Sequence, residues 1–402
     1  MPSPSRTILV LGTHGQANVG DELLLQTFLD QLGAQHRYEI NSYTPDETAE
    51  SIDDTFDVEV FDTATTRVGL LGAIARCDAL VFAGGSILKQ LGPRTGRHPN
   101  ATLMMILGVV TAARMMRKPI LMSNIGVGPL PSASGRRLAR RILRQVDLVS
   151  TRDPASHRLA RELTDDDDKV VRVPDAAFAN KPAEFGLPVV PTSPGRPLRI
   201  GLNLNSDVRD EAAWARFLHD LRREILDLAA YRPLEIVTVP MQCRFKEDHD
   251  LLVLEDFLST LSGVRIEYHA PRDATEVAEL IASCDVVASE RLHAIVIASI
   301  IGRPVIPLPY DVKVVQLAEE LGLSDRSFPV DEPIEPGAFV TAVGELLDDR
   351  LEGSRLALRA DDLRSTVMAH FGAVRDWIAD PETNDRWPRR FDTVDRIDDQ
   401  AA

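Results

Sequence analysis

Short apolar runs alternate with stretches of helical period along almost the whole chain. Thr7–Gly12 reads as a strand, and Leu24, Leu25, Phe28, Leu29 and Leu32 then recur on one helix face. Tyr38–Tyr43 and Asp57–Phe61 read as further strands, and Asp78–Ala83 as a clearer one. A helix is predicted from Ala101 to Arg117, a strand over Pro119–Ile125, a helix over Ser134–Gln145 and strands over Leu148–Thr151 and Val170–Val173. Five prolines and no helical period mark Lys181–Pro197 as a boundary. A second alternation follows. Strands are predicted at Leu198–Leu204, Leu234–Val239, Val264–Tyr268, Asp285–Ser289 and Pro304–Leu308. Helices are predicted at Glu211–Ala230, Glu247–Leu261, Ala274–Ser283 and Ala294–Ile301.

This pattern predicts an α/β fold of two doubly wound Rossmann-like domains, facing each other across a cleft as in the glycosyltransferase-B arrangement. The first domain is expected over 1–180 on the acceptor side, the linker over 181–197, and the second domain over 198–350 on the donor side. A helix over 351–380 is expected to pack back on the first domain, with a mobile tail over 381–402.

The polar residues that stand out lie at strand ends. Ser289-Glu290-Arg291-Leu292-His293 joins an apolar strand to an apolar helix that Gly302 closes. A helix N-terminus carries partial positive charge and unpaired N–H groups, so Arg291 there suits an anion, and His293 can deliver a proton near neutral pH. The bland alternative is a capped helix with a structural Arg and a satisfied His. Arg152 has the same placement, because Asp153 and Pro154 behind it are a good N-cap and first helical residue. The loop Thr13–Gly20, with Asn18 and Gly20, follows the first strand, and Asp21 opens the helix behind it. It matches neither dinucleotide nor P-loop fingerprint, though its glycines permit close backbone approach to a ligand. Asp21 either contacts that ligand or caps a helix. Gly84, Gly85 and Ser86 form a second glycine turn, and Gly126 and Gly128 a third. Tyr310 and Lys313 flank the start of another helix.

Composition narrows the picture. The 402 residues carry 45 basic and 61 acidic side chains, a formal charge of -16, which argues against nucleic-acid binding. Cys77, Cys243 and Cys284 are too scattered for a disulfide framework or zinc cluster, and suit a reducing cytoplasm. No metal-ligand spacing is visible, so no metal or cofactor is expected. The N-terminus has no signal-peptide pattern, and the uncharged run Ala101–Ala113 is too short to span a bilayer. Arg136, Arg137, Arg140, Arg141 and Arg144 make one helix strongly basic. Its default is a solvated face, and its sharper reading is contact with an anionic membrane surface.

Seven motifs in order resemble those of the polysaccharide pyruvyl transferase family, from the first strand to about Leu323. They are Gly15–Glu22, Phe82–Ser86, Gly126–Pro129, Thr151–Ser156, Asp175–Phe178, Glu290–His293 and Tyr310–Lys313. Ala83 stands where a third glycine is common, and Lys89-Gln90 where Gln-Asp is common; both departures bear on the acceptor. The resemblance implies transfer of pyruvate from phosphoenolpyruvate onto two hydroxyls of a saccharide, in cell-surface or exopolysaccharide synthesis. It implies catalytic roles for Arg152, Arg291 and His293. It implies ligand contacts from Asn18, Gly20, Asp21, Gly84, Gly85, Ser86, Gly126, Gly128, Asp153, Ser156, Leu292, Tyr310 and Lys313. The expected partners are phosphoenolpyruvate and a saccharide, lipid-linked in one version. Two rivals stand beside it: a nucleotide-sugar glycosyltransferase, for which Glu247 and Glu255 have a suitable spacing, and a non-catalytic saccharide binder.

Overall fold

Runs such as Ala79–Ala83 are buried at every position, as strands covered on both faces by helices must be. The computed structural model of the protein describes residues 5–63, 67–92, 96–186, 196–207, 210–381 and 387. Its strands fall into two parallel sheets, and the chain divides into two units.

The first unit comprises residues up to 16, 21–179 and the segment from 365. Its elements are β1 (Thr7–Leu11), α1 (Val19–Leu32), β2 (Arg37–Ser42), α2 (Pro45–Ser51), β3 (Asp57–Asp62), α3 (Arg67–Arg76) and β4 (Ala79–Ala83). They continue with α4 (Ala101–Met115), β5 (Ile120–Ile125), α5 (Ala133–Leu143), β6 (Leu148–Thr151), α6 (Pro154–Leu163) and β7 (Val170–Arg172). The sheet order is β3-β2-β1-β4-β5-β6-β7. On one face, Ile74, Ile106, Val110, Ile142 and Leu143 pack with Leu80, Ile120 and Met122 in a single core, so α3, α4 and α5 share that face.

The second unit comprises residues 17–20 and 180–364. It contains β8 (Leu198–Asn203), α7 (Glu211–Tyr231), β9 (Leu234–Thr238), α8 (Asp250–Leu258), β10 (Arg265–Glu267), α9 (Ala274–Ser283), β11 (Val286–Ser289), α10 (Leu292–Ile300), β12 (Val305–Pro307), α11 (Val312–Glu320) and α12 (Ala338–Asp348). The sheet order is β10-β9-β8-β11-β12. Buried Glu224 on α7 accepts from the Gly337, Phe339 and Val340 N–H groups, so a neighbouring helix caps α12.

The last helix, α13 (Glu352–Ala379), starts in the second unit and ends in the first. In the first unit its buried His370 lies within hydrogen-bond distance of the Ser123 and Ser150 hydroxyls, and Phe371 meets Phe28 edge-on. Most of the boundary, 187–195, and the tail beyond 381 lie outside the described residues, except Trp387. That side chain is not part of a mobile tail. It is buried, and its indole N–H donates to the Val149 and Lys169 carbonyls at 3.0 Å.

Candidate functional site

Open parallel sheets bind ligands where the strand order reverses, outside the carboxyl ends of the strands. In the first unit that point lies between β1 and β4, and in the second between β8 and β11.

At the first switch point the loop after β1 folds back on its own helix. Gly15 N–H donates to Glu22 Oε1 at 2.7 Å, and burial then pushes the Glu22 carboxyl up to about 7 against that bond. His14 is 1% exposed. Burial lowers its pKa to about 4 despite nearby Asp21, so the ring is neutral at physiological pH. Helix α1 opens at Val19, two residues before Asp21, so the expectation that Asp21 caps it does not hold. Asn18 takes the capping role, its Oδ1 accepting from Gly20 N–H at 3.1 Å.

The turns after β4 and β5 are bound together. Gly84 N–H donates to the Ser123 carbonyl and Gly126 N–H to the Gly85 carbonyl, both at 2.8 Å. Gly84 and Gly85 have φ of 67° and 75°, a conformation that favours glycine. A Cβ on Gly126 would lie 2.9 Å from Ser86 Oγ and 3.2 Å from its Cα. One on Gly85 would lie 3.7 Å from Asp21 Oδ1, which places the Asp21 carboxylate beside this turn. Arg152 follows β6. Its guanidinium donates to Ser86 Oγ at 2.8 Å and to Asp175 Oδ2 at 3.1 Å, while its buried Nε has no partner among the described residues. Asp153 caps α6 by accepting from Ser156 N–H, and its second oxygen accepts from Ser156 Oγ, both at 2.7 Å. Ser156 Oγ in turn accepts from Val127 N–H, which ties α6 to the turn holding Gly126 and Gly128. Asp153 and Ser156 therefore position this cluster, with both carboxylate oxygens already engaged.

At the second switch point Arg291 precedes α10. Its Nε and Nη2 donate to Asp250, the shorter contact being 2.6 Å, and its Nη1 donates to Asp207 at 3.0 Å. Burial works to raise the Asp207 carboxyl, and Arg291 and Lys246 overcome it, holding it at about 2. Asn203 Oδ1 accepts from Arg291 N–H at 2.9 Å and so fixes the turn. Leu292 is buried, and His293 sits in the first turn of α10 against Gly20. A Cβ on Gly20 would lie 1.9 Å from His293 Nδ1, so only glycine lets the ring rest there. Lys313 Nζ lies 5.1 Å from the centre of the Tyr310 ring, a cation–π distance. Among the described residues no group of His, Cys, Asp and Glu is arranged to hold a metal ion.

Sequence reasoning missed the residues that hold Arg291 and Glu290. Glu290 is fully buried, accepting from Asn205 N–H at 3.0 Å, Asn205 Nδ2 at 2.6 Å and Trp214 Nε1 at 3.2 Å. Asn203, Asn205, Asp207, Trp214 and Asp250 come from other strand ends and helix starts. Their one sequence signal is the pair of asparagines, Asn203 and Asn205, at the close of an apolar strand.

Burial pushes the Glu290 carboxyl up to about 8, against the pull of Trp214, Asn205 and Arg291. The folded state therefore holds a proton that the unfolded chain releases near the usual carboxylate pKa. Its stabilising effect is full below that value and is lost as pH rises toward 8. Melting temperatures of wild type and Glu290→Gln across pH 5 to 9 test this. The wild type is expected to lose stability relative to the variant as pH rises, and parallel profiles would refute it.

Comparison with known proteins agrees with this architecture. The chain is 21% identical over 303 residues to the amylovoran biosynthesis protein AmsJ of Erwinia amylovora, covering 70% of this chain and 68% of that protein. Among solved structures, Anabaena Alr3699/HepE in complex with UDP and glucose superposes with a TM-score of 0.61 at 14% identity, covering 93% of this chain and 100% of that one. The UDP-GlcNAc 2-epimerase of Neisseria meningitidis bound to UDP-GlcNAc gives 0.57 at 12% identity, covering 92% and 98%. These likenesses show a fold of glycosyltransferase-B type built from two Rossmann-like domains. The sequence profile described as polysaccharide pyruvyl transferase matches residues 18–312, a span that includes both arginines, His293 and the glycine turns at Gly84-Gly85 and Gly126–Gly128, and the chain belongs to the polysaccharide pyruvyl transferase family.

Proposed function

We propose that the chain transfers pyruvate from phosphoenolpyruvate onto two hydroxyls of one saccharide, closing a ketal during polysaccharide synthesis. The observation that most supports this is Arg152. Arg152 is 8% exposed, its Nε has no partner among the described residues, and its guanidinium stands beside the glycine turns at the strand ends. A donor bearing a carboxylate and a phosphate calls for fixed cations, and Arg291 is the second. His293 delivers a proton to the methylene carbon of the donor, and a sugar hydroxyl attacks the adjacent oxocarbenium-like carbon. The bond from that carbon to the phosphate oxygen then breaks, and the second hydroxyl takes its place. One hydroxyl proton replaces the one spent on carbon, and the other leaves with phosphate. Asp21 is the proposed acceptor of a hydroxyl proton, since Ser156 occupies both oxygens of Asp153. The proposal places the enzyme in the cytoplasm, in accord with three unpaired cysteines. No described helix is long and apolar enough to cross a membrane. Against the glycosyltransferase reading, Glu247 lies in a turn ahead of α8 and Glu255 is exposed on it, so the two do not share one helix.

Calorimetric titration with phosphoenolpyruvate and, separately, uridine diphosphate tests the reading without added metal. Phosphoenolpyruvate is expected to bind. Arg152→Ala is expected to weaken it roughly 10- to 150-fold, from about 1.5–3 kcal/mol for hydrogen bonds to a charged group. Arg152→Lys should recover part of that, because it keeps the charge and loses the planar fork. Binding of the nucleotide and not of phosphoenolpyruvate would replace this reading with the glycosyltransferase one.

A further inference from the structure

Helix α4 has an unusual outer face. No charged residue occurs from Ala101 to Ala113, yet Met104 and Met105 are each 49% exposed, and Met115 at its end is 82% exposed. Leu71 on α3, a helix packed beside it, is 48% exposed. The inner face of α4 is occupied by Leu103, Ile106, Val110 and Ala113, so the methionines are left over from the core. Exposed apolar side chains gathered on one face mark a docking surface.

What surrounds this face identifies the partner. Between Ala79 and Val146 there are eleven Lys and Arg residues and no Asp or Glu, in a chain whose net charge is -16. Such a one-signed segment attracts an anionic surface despite the acidic balance of the whole chain. Helix α5 packs against α4 and brings Arg137, Arg140 and Arg141, all exposed. Neighbouring acids answer some of the charge: Glu162 pairs with Arg136, Asp165 with Arg144 and Asp147 with Arg114. Arg117, Arg137 and Arg141 make no ion pair among the described residues. An apolar strip with arginines along its flank is the pattern of a surface that lies in the interface of an anionic bilayer.

We propose that the outer face of α3, α4 and α5 docks the protein on an anionic lipid bilayer, with Met104, Met105 and Met115 entering the headgroup boundary and the arginines of α5 meeting lipid phosphates. The strip is too short to span and suits shallow insertion. The inference does not depend on the donor: membrane binding without phosphoenolpyruvate binding, or the reverse, would separate the two.

Flotation of the full chain with vesicles of phosphatidylglycerol and phosphatidylcholine, beside pure phosphatidylcholine, tests it. Binding to the anionic vesicles is expected, weakened by salt, with little on the neutral ones. Arg137→Glu with Arg141→Glu is expected to reduce binding at least thirtyfold, since each arginine near such a surface contributes roughly fivefold. Met104→Gln with Met115→Gln should reduce binding and leave the melting temperature unchanged. Absence of binding to anionic vesicles, or binding indifferent to both pairs of substitutions, would overturn the proposal. So would a concentration-dependent dimer in sedimentation velocity that Met104→Gln with Met115→Gln abolishes, which would make this face a contact between two copies.

Discussion

His293→Ala is expected to lower turnover by about 10²- to 10⁴-fold, the range for loss of a positioned general acid, while donor binding stays near wild type. The split matters more than the size. Arg291 precedes His293 by two residues and is held by Asp250, Asp207 and Asn203, not by the imidazole. Removing the ring therefore leaves the cationic turn in place. Gly20→Ala is a second route to the same result. The added Cβ would lie 1.9 Å from His293 Nδ1, so the ring must move, and turnover should fall although the imidazole is retained. Phosphate released from phosphoenolpyruvate in the presence of a saccharide extract measures both, with calorimetry for donor binding. Wild-type turnover in His293→Ala would remove it from the proton-transfer role.

Asp250→Ala is expected to be the most destabilising single substitution in the second unit. The carboxylate is fully buried and accepts from Arg291, Asn203 Nδ2 and Met241 N–H. Its loss strands a largely buried guanidinium and two further donors, at a cost of about 3–5 kcal/mol. For a unit of this size that is roughly a 10 °C fall in the melting transition. Asp250→Asn keeps the volume and one acceptor, so it should fall less. Donor binding should weaken in both, because Arg291 loses the groups that aim it. An unchanged melting temperature in Asp250→Ala would show that this pair is not what anchors the turn.

Much of the fold was legible because buried parallel strands read as short apolar runs and helices as periodic ones. The boundaries at Leu148–Thr151 and Ala274–Ser283 agree residue for residue with β6 and α9. Helices α2 and α3 were not legible. Pro45–Ser51 is mostly polar, and Arg67–Arg76 holds two glycines, so neither shows a clear apolar stripe. The helix expected from Glu247 begins at Asp250, because His249 caps it by accepting from Leu252 N–H.

The order of apolar runs, glycine turns and helix starts is a local property, and the chain alone determined it: two α/β halves, with Arg152, Arg291 and His293 at strand ends. Strand order is not local. Only the tertiary structure placed β1 beside β4 and β8 beside β11, because register depends on which surfaces bury each other. That pairing decided which residues serve Arg291. Asn203, Asp207 and Asp250 lie between 41 and 88 positions away in sequence, and hydrogen bonds over such separations leave no spacing to read.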